Sequence, residues 1–255
     1  MANVVGSVEN VGEKPRIAIP EPCSYDAEYS GRALPPYLRA IESAGGEPVV
    51  VPLQSSPEEI ARLITSCAGI LLPGSKADVD PQKFNAEAHP KTAPADVPRD
   101  AADELLLQDA YNLRKPVFGI CYGLQSLNVW RTGSLVQHIE SNVDHSAGAK
   151  VAVAHNVVVA ADSLLAKEIL HGKTATTVPV NSSHHQSASV VGDGLRAVAH
   201  CPEDGVIEAI EGTMPEHYVL AVQWHPERTF ESDQVSSNLF RAFVDSAREW
   251  NRRDP

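Results

Sequence analysis

Short, continuous apolar runs alternate with stretches of helical periodicity along the first half of the chain. Residues 16–19, 49–51, 68–72 and 117–120 are such runs, and proline or glycine punctuates most of them. Runs of this kind suit strands buried on both faces of a parallel sheet. Residues 32–44 carry Leu34, Leu38 and Ile41 at helical spacing and stop at Gly45-Gly46. Ser56-Pro57-Glu58-Glu59 opens a second helix. Ser supplies the N-cap oxygen, Pro fits the first helical position, and the acids sit at the positive end of the helix dipole. Residues 100–113 predict a third helix. This alternation predicts an α/β fold with a doubly wound, mainly parallel central sheet and flanking helices.

Between the second and third helices, residues 75–99 hold several prolines and few apolar positions. They predict a long loop, and loops of that length usually carry function or move. The second half changes character. Residues 151–160, 195–199, 206–210 and 219–223 read as strands with turns between them, additional antiparallel strands in or beside the same sheet. An amphipathic helix over 231–250, with Val235, Leu239 and Phe243 on one face, closes the pattern. No linker divides it. Residues 15–255 are expected to form one domain and residues 1–14 a polar tail.

Gly119-Ile120-Cys121-Tyr122-Gly123 lies directly after a buried apolar run and before a helix expected to start near Gly123. A nucleophile on a sharp strand-to-helix turn crowds the neighbouring backbone, and glycines relieve that crowding. The helix N-terminus favours thiolate at Cys121. The Tyr122 N–H would face a developing oxyanion. Cys23, Cys67 and Cys201 lack this setting and read as packing residues. A thiolate for acyl transfer needs a base, and the base an orienting partner. Val222-Gln223-Trp224-His225-Pro226-Glu227 offers both at the end of an apolar run. Pro226 restricts His225 to extended backbone, which sets Glu227 on the same side two residues on. The bland alternative is a surface His-Pro-Glu turn. Metal binding by His184-His185 reads as weak, because neighbours on a strand point to opposite faces.

Composition narrows the partners. The chain has 255 residues and a formal net charge of −12, which disfavours nucleic acid. No apolar run approaches a membrane span, and residues 1–14 lack the apolar core of a signal peptide. The four cysteines are scattered and form no CxxC pair, so a reducing, cytoplasmic setting is expected and no zinc site is.

Six ordered motifs resemble the class I glutamine amidotransferase-like superfamily, in its γ-glutamyl-γ-aminobutyrate (GABA) hydrolase branch. They are LLPGSKADVDP (71–81), Arg99-Asp100, PVFGICYGLQSLNV (116–129), VNSSHHQ (180–186), GVIEAIE (205–211) and AVQWHPE (221–227). The resemblance implies a flavodoxin-like fold and a Cys121, His225, Glu227 triad. It implies an oxyanion hole from Tyr122 and the Gly74-Ser75 turn. Gln125 matches a glutamine that seats the glutamyl group, and His184, His185 and Gln186 match the stretch at its α-amino and α-carboxylate end. The implied substrate is a small γ-glutamyl amide, with no cofactor or metal; a homodimer is left open.

The chain also departs from that branch. Tyr122 stands where many members carry Arg, as in several synthetase-linked glutaminases. Gly74-Ser75 and Thr132-Gly133 stand where Gly-Gly is common. Two rivals follow: a glutaminase subunit feeding ammonia to a separate synthetase, and a non-catalytic binding protein that kept the fold.

Overall fold

The computed structural model describes residues 14–170 and 177–253. Apart from Lys14, the expected polar tail lies outside the described residues. The first half alternates as its pattern predicts. It runs β1 (Arg16–Pro20), α1 (Ala27–Ser43), β2 (Glu47–Val51), α2 (Pro57–Thr65), β3 (Gly69–Leu72), α3 (Val97–Leu113), β4 (Val117–Ile120) and α4 (Tyr122–Trp130). The second half adds β5 (Leu135–Val136), β6 (His155–Val159), α5 (Leu164–Leu170), β7 (Thr177–Val180) and β8 (Ser187–Ala188). β9 (Leu195–His200), β10 (Ile207–Gly212), β11 (Val219–Val222) and α6 (Gln234–Arg253) follow.

Nine strands form one sheet in the order β2-β1-β3-β4-β11-β10-β9-β6-β7. β2, β1, β3, β4 and β11 are mutually parallel. β10, β9, β6 and β7 extend the sheet antiparallel. The period-two alternation of strand side chains splits the core into two layers. Ile17, Ile19, Phe118 and Val222 face a layer with Ile41 of α1 and Phe240 and Phe243 of α6. Ala18, Ile70, Leu72 and Ala221 face another with Ile60 of α2, Leu106 of α3 and Leu124 of α4. Each fully buried large side chain contributes roughly 1.5–3 kcal/mol.

Several bounds differ from expectation. α1 begins five residues before the expected start, capped by Asp26, whose carboxylate accepts from Tyr29 N at 2.9 Å. The long loop ends at Asp96. That carboxylate caps α3 through Arg99 N and also accepts from Ser24 N. Within the loop, Pro81–Phe84 forms a 3-10 turn. The expected strand over 151–160 shortens to β6.

This topology sets the site. β3, β4 and β11 are adjacent and parallel, with Leu72 paired to Gly119 and Val222 to Ile120. Their C-terminal ends therefore bring Gly74, Cys121 and His225 to one edge of the sheet. Open α/β sheets place ligands at that edge.

Candidate active site

Cys121 occupies the turn between β4 and α4 with φ 53° and ψ −105°. Such a backbone costs a non-glycine residue about 1–3 kcal/mol and persists only where its surroundings enforce it. Cys121 N donates to Val222 O at 2.8 Å, which locks the turn to β11. The flanking glycines leave no room for a side chain. A Cβ on Gly123 would sit 2.1 Å from Leu72 O, and one on Gly119 2.9 Å from Gly123 O.

His225 is buried, and Nδ1 lies 2.8 Å from Glu227 Oε1. The contact forms because Pro226–Arg228 is a 3-10 turn. The expected extended run does not occur, yet the turn still returns Glu227 to the ring. Arg228 Nε stands 3.5 Å from the same carboxylate oxygen. Asn181 brackets the His225 backbone: its Nδ2 donates to His225 O at 2.8 Å, and its Oδ1 accepts from His225 N at 2.9 Å. Nε2 of His225 is buried and has no hydrogen-bond partner among the described residues.

Burial alone would push the His225 pKa down. Glu227 and then Cys121 outweigh it and lift the ring to about 9. Well below pH 6.5 the ring is protonated in both folded and unfolded chains, and the stabilisation is complete. It is lost as pH rises to about 9. We expect the wild-type stability advantage over His225→Gln to shrink by about 3 kcal/mol across that interval. Urea denaturation of both proteins along a pH series checks this; a constant difference would contradict it.

Gly74 sits between base and nucleophile. A Cβ there would meet His225 Cε1 at 3.1 Å and Cys121 Cβ at 3.6 Å. The Gly74 N–H already donates to Tyr37 Oη at 3.1 Å. The N–H groups of Ser75 and Tyr122 have no protein acceptor among the described residues. Of the expected oxyanion donors, Ser75 and Tyr122 are thus available and Gly74 is engaged.

Arg99, fully buried, holds this turn. It donates to Pro73 O at 2.7 Å, Pro22 O at 3.1 Å and Asp103 Oδ1 at 2.8 Å. Its guanidinium lies 4.9 Å from the Tyr122 ring centroid. The Tyr122 hydroxyl donates to Asp100 Oδ1 at 2.5 Å. Tyr122 therefore points into α3, and only its backbone faces the site.

The expected glutamyl-binding residues divide. Gln125 Nε2 lies 3.2 Å from Gln186 O and 3.3 Å from Gln223 Oε1. Gln186 Nε2 donates to Gln137 O. His185, half-buried, reaches across to the loop carboxylate of Asp78 at 3.1 Å. His184 turns the opposite way, into a buried group with His145 and Glu208. The adjacent pair does point apart. Asn181 was missed as a functional position although it lies in the VNSSHHQ motif; Tyr37 gave no signal beyond an apolar helix face.

Known proteins resemble this chain in sequence and in fold. The sequence profile described as Peptidase C26 matches residues 22–227. The chain is 33% identical to the protein NtpR of Enterococcus hirae over 82% of this chain and 86% of that one. It is 33% identical to the γ-glutamyl-γ-aminobutyrate hydrolase PuuD of Escherichia coli (strain K12), over 82% and 83% respectively. A solved "putative gmp synthase subunit a protein" from Thermoplasma acidophilum superposes with a TM-score of 0.64 at 14% identity. That match covers 94% of this chain and 98% of the other, which shows the fold alone.

Proposed function

This chain belongs to the Peptidase C26 family of class I glutamine amidotransferase-like proteins, and we propose that it is a cysteine hydrolase cutting γ-glutamyl amide bonds. The observation that carries the reading is the meeting of Cys121, the paired His225 and Glu227, and two free backbone N–H groups at one sheet edge. Cys121 thiolate attacks the γ-carbonyl carbon. The oxyanion forms between the Ser75 and Tyr122 N–H groups. Imidazolium His225, held by Glu227, gives its Nε2 proton to the leaving amine, and a glutamyl thioester remains. Neutral His225 then takes a proton from water, which attacks the thioester and releases glutamate and Cys121 thiolate. Gln125 and Gln186 seat the glutamyl end, with His184 and His185 placing that segment.

The four cysteines are free and buried, which supports a reducing, cytoplasmic setting. No helix among the described residues is long and apolar enough to cross a membrane. The glutaminase-subunit reading draws on Tyr122 after the nucleophile. Assay of the purified chain alone on γ-glutamyl-GABA, γ-glutamyl anilide and glutamine separates the two. We expect γ-glutamyl amine turnover on the order of 1–10 per second without a partner. Glutamine as the preferred substrate, with activity only beside a synthetase, would overturn the hydrolase reading.

The loop over 75–96 is proposed to cover the leaving amine. Asp78 accepts from Ala93 N at 2.7 Å and meets His185. Gln137 Oε1 accepts from His89 N and Thr92 Oγ1 at 2.8 and 2.9 Å. The loop is thus closed onto the segments beside Gln186. Ala77 and Val79 pack on Tyr122, so a clean test shortens only residues 85–91 to a Gly-Ser link. We expect about a tenfold loss on bulky γ-glutamyl amines and under threefold on glutamine. Equal losses on every substrate would show that the loop does not select the amine.

A further inference from the structure

A buried cluster on the antiparallel side of the sheet, which His184 joins, moves no proton and forms no bond in these steps. Glu208 of β10 is 0% exposed, with His145 at 3% and His184 at 4% beside it. Glu208 Oε1 lies 3.0 Å from His155 Nε2, 3.2 Å from His145 Nδ1 and 3.6 Å from His184 Nε2. Hydrogen bonds on the far side of two rings fix their tautomers. His145 Nε2 lies 2.8 Å from Asp204 Oδ2, a carboxylate oxygen that accepts its proton. His184 Nδ1 lies 3.0 Å from Gln186 O, a carbonyl that can only accept. A neutral imidazole with one nitrogen protonated presents a lone pair on the other. In that neutral state His145 Nδ1 and His184 Nε2 both turn lone pairs toward Glu208 Oε1. Among the described residues neither has a hydrogen-bond partner, and nor does Glu208 Oε2. Converging lone pairs in a buried place are costly unless a cation joins them.

We propose that His145 Nδ1, His184 Nε2 and the Glu208 carboxylate bind one divalent transition-metal ion of the zinc class. Two imidazoles and one carboxylate form a borderline-soft N/O ligand set that such ions prefer. The three ligand atoms lie within 4.8 Å of one another. Ligands at about 2.1 Å around a tetrahedral ion stand roughly 3.4 Å apart, close to the spacings from Glu208 to each histidine. Asp204 behind His145 is the outer carboxylate that orients a ligating imidazole, and His155 donates to Glu208 from the side. A cavity of about 340 Å³ reaches His145 and His184 and is also lined by His138, Asp144 and His185. It opens beside the two histidines and gives the ion a path to them. The ion ties β10 to the two segments that carry His145 and His184, and so steadies Gln186 beside Gln125. The sequence pattern pointed only to the adjacent His184-His185 pair; the ligands come from three distant segments. Protons are the competing occupants. A protonated His145 would place its Nδ1 proton toward Glu208 Oε1 at 3.2 Å, but His184 Nε2 at 3.6 Å is too far for a hydrogen bond, so protons leave that ring unmatched.

The test uses the full chain with Cys121 alkylated, which removes a competing zinc ligand. Chelator-stripped protein is titrated with Zn²⁺ against a chromophoric chelator. One Zn²⁺ per chain is expected. His184→Ala and Glu208→Gln should each weaken binding more than ~100-fold, while His185→Ala leaves it unchanged. Absence of stoichiometric binding, or binding lost through His185→Ala and kept in His184→Ala, overturns the site. Should those variants fail to fold, histidine ¹⁵N resonances of the stripped wild type decide. Zn²⁺ should move His145 Nδ1 and His184 Nε2 in slow exchange. Both nitrogens already protonated and unmoved by Zn²⁺ would assign the cluster to protons and overturn the proposal.

Discussion

Cys121→Ala and Cys121→Ser should fold normally and lose γ-glutamyl hydrolysis on the order of 10⁴-fold or more. Nothing structural in the site asks for the sulfur. The side chain of Cys121 makes no capping hydrogen bond to α4, and truncation to Ala leaves the backbone bond to Val222 O in place. What the sulfur does have is a position: the start of a helix, beside a buried imidazole whose partner is a carboxylate. The other cysteines contrast with it. Burial pushes the thiols of Cys23 and Cys67 up, and burial followed by Glu203 pushes Cys201 to about 12. Cys201 Sγ lies 3.1 Å from Glu203 Oε2 and Cys67 Sγ 3.5 Å from Leu63 O. Iodoacetamide should therefore label Cys121 first, because thiolate fraction controls the rate. Faster labelling at another cysteine, or a Cys121→Ala variant with near wild-type turnover, would remove the nucleophile from this account.

Gly123→Ala should cost about 3 kcal/mol or more and abolish activity with it. The added Cβ would lie 2.1 Å from Leu72 O and 2.8 Å from Leu72 Cβ. Both belong to the central strand β3, so neither can swing aside as a flexible side-chain tip would. The helix would have to lift away from the sheet and take the elbow with it. Against a usual total stability of about 5–15 kcal/mol, such a loss is severe. Gly31→Ala is the control, since a Cβ there meets no atom of the described residues within 4 Å. Its place inside α1 predicts a gain of about 1 kcal/mol. Urea midpoints for the two variants should move in opposite directions. A Gly123→Ala protein as stable as wild type would mean that the close approach of α4 to β3 is wrong.

Local chemistry explains which features were legible in the sequence. The parallel half was readable because its strands are continuous apolar runs and its helices carry caps, as at Ser56, where a capping box forms with Glu59. The elbow was readable because its two glycines meet backbone. α1 was harder: Gly31 and the interior Pro35 and Pro36 lower helix propensity, and burial of Ser30, Tyr37 and Ile41 overrides them. β7 was missed because Pro179 argues against a strand. β7 is an edge strand, at the end of the sheet beside β6, where a missing N–H can face outward. The engagement of Gly74 by Tyr37, and the meeting of His184 with His145 and Glu208, depend on segments far apart in the chain. Spacing along the sequence carries no trace of either.

The most direct measurement is the mass of the peptide carrying Cys121, from protein quenched in acid during turnover of γ-glutamyl anilide. One glutamyl group on Cys121, appearing with the first burst of aniline and vanishing as substrate is consumed, is the predicted result. Turnover with no adduct on that peptide, or an adduct on Cys23, Cys67 or Cys201, would contradict a Cys121 thioester.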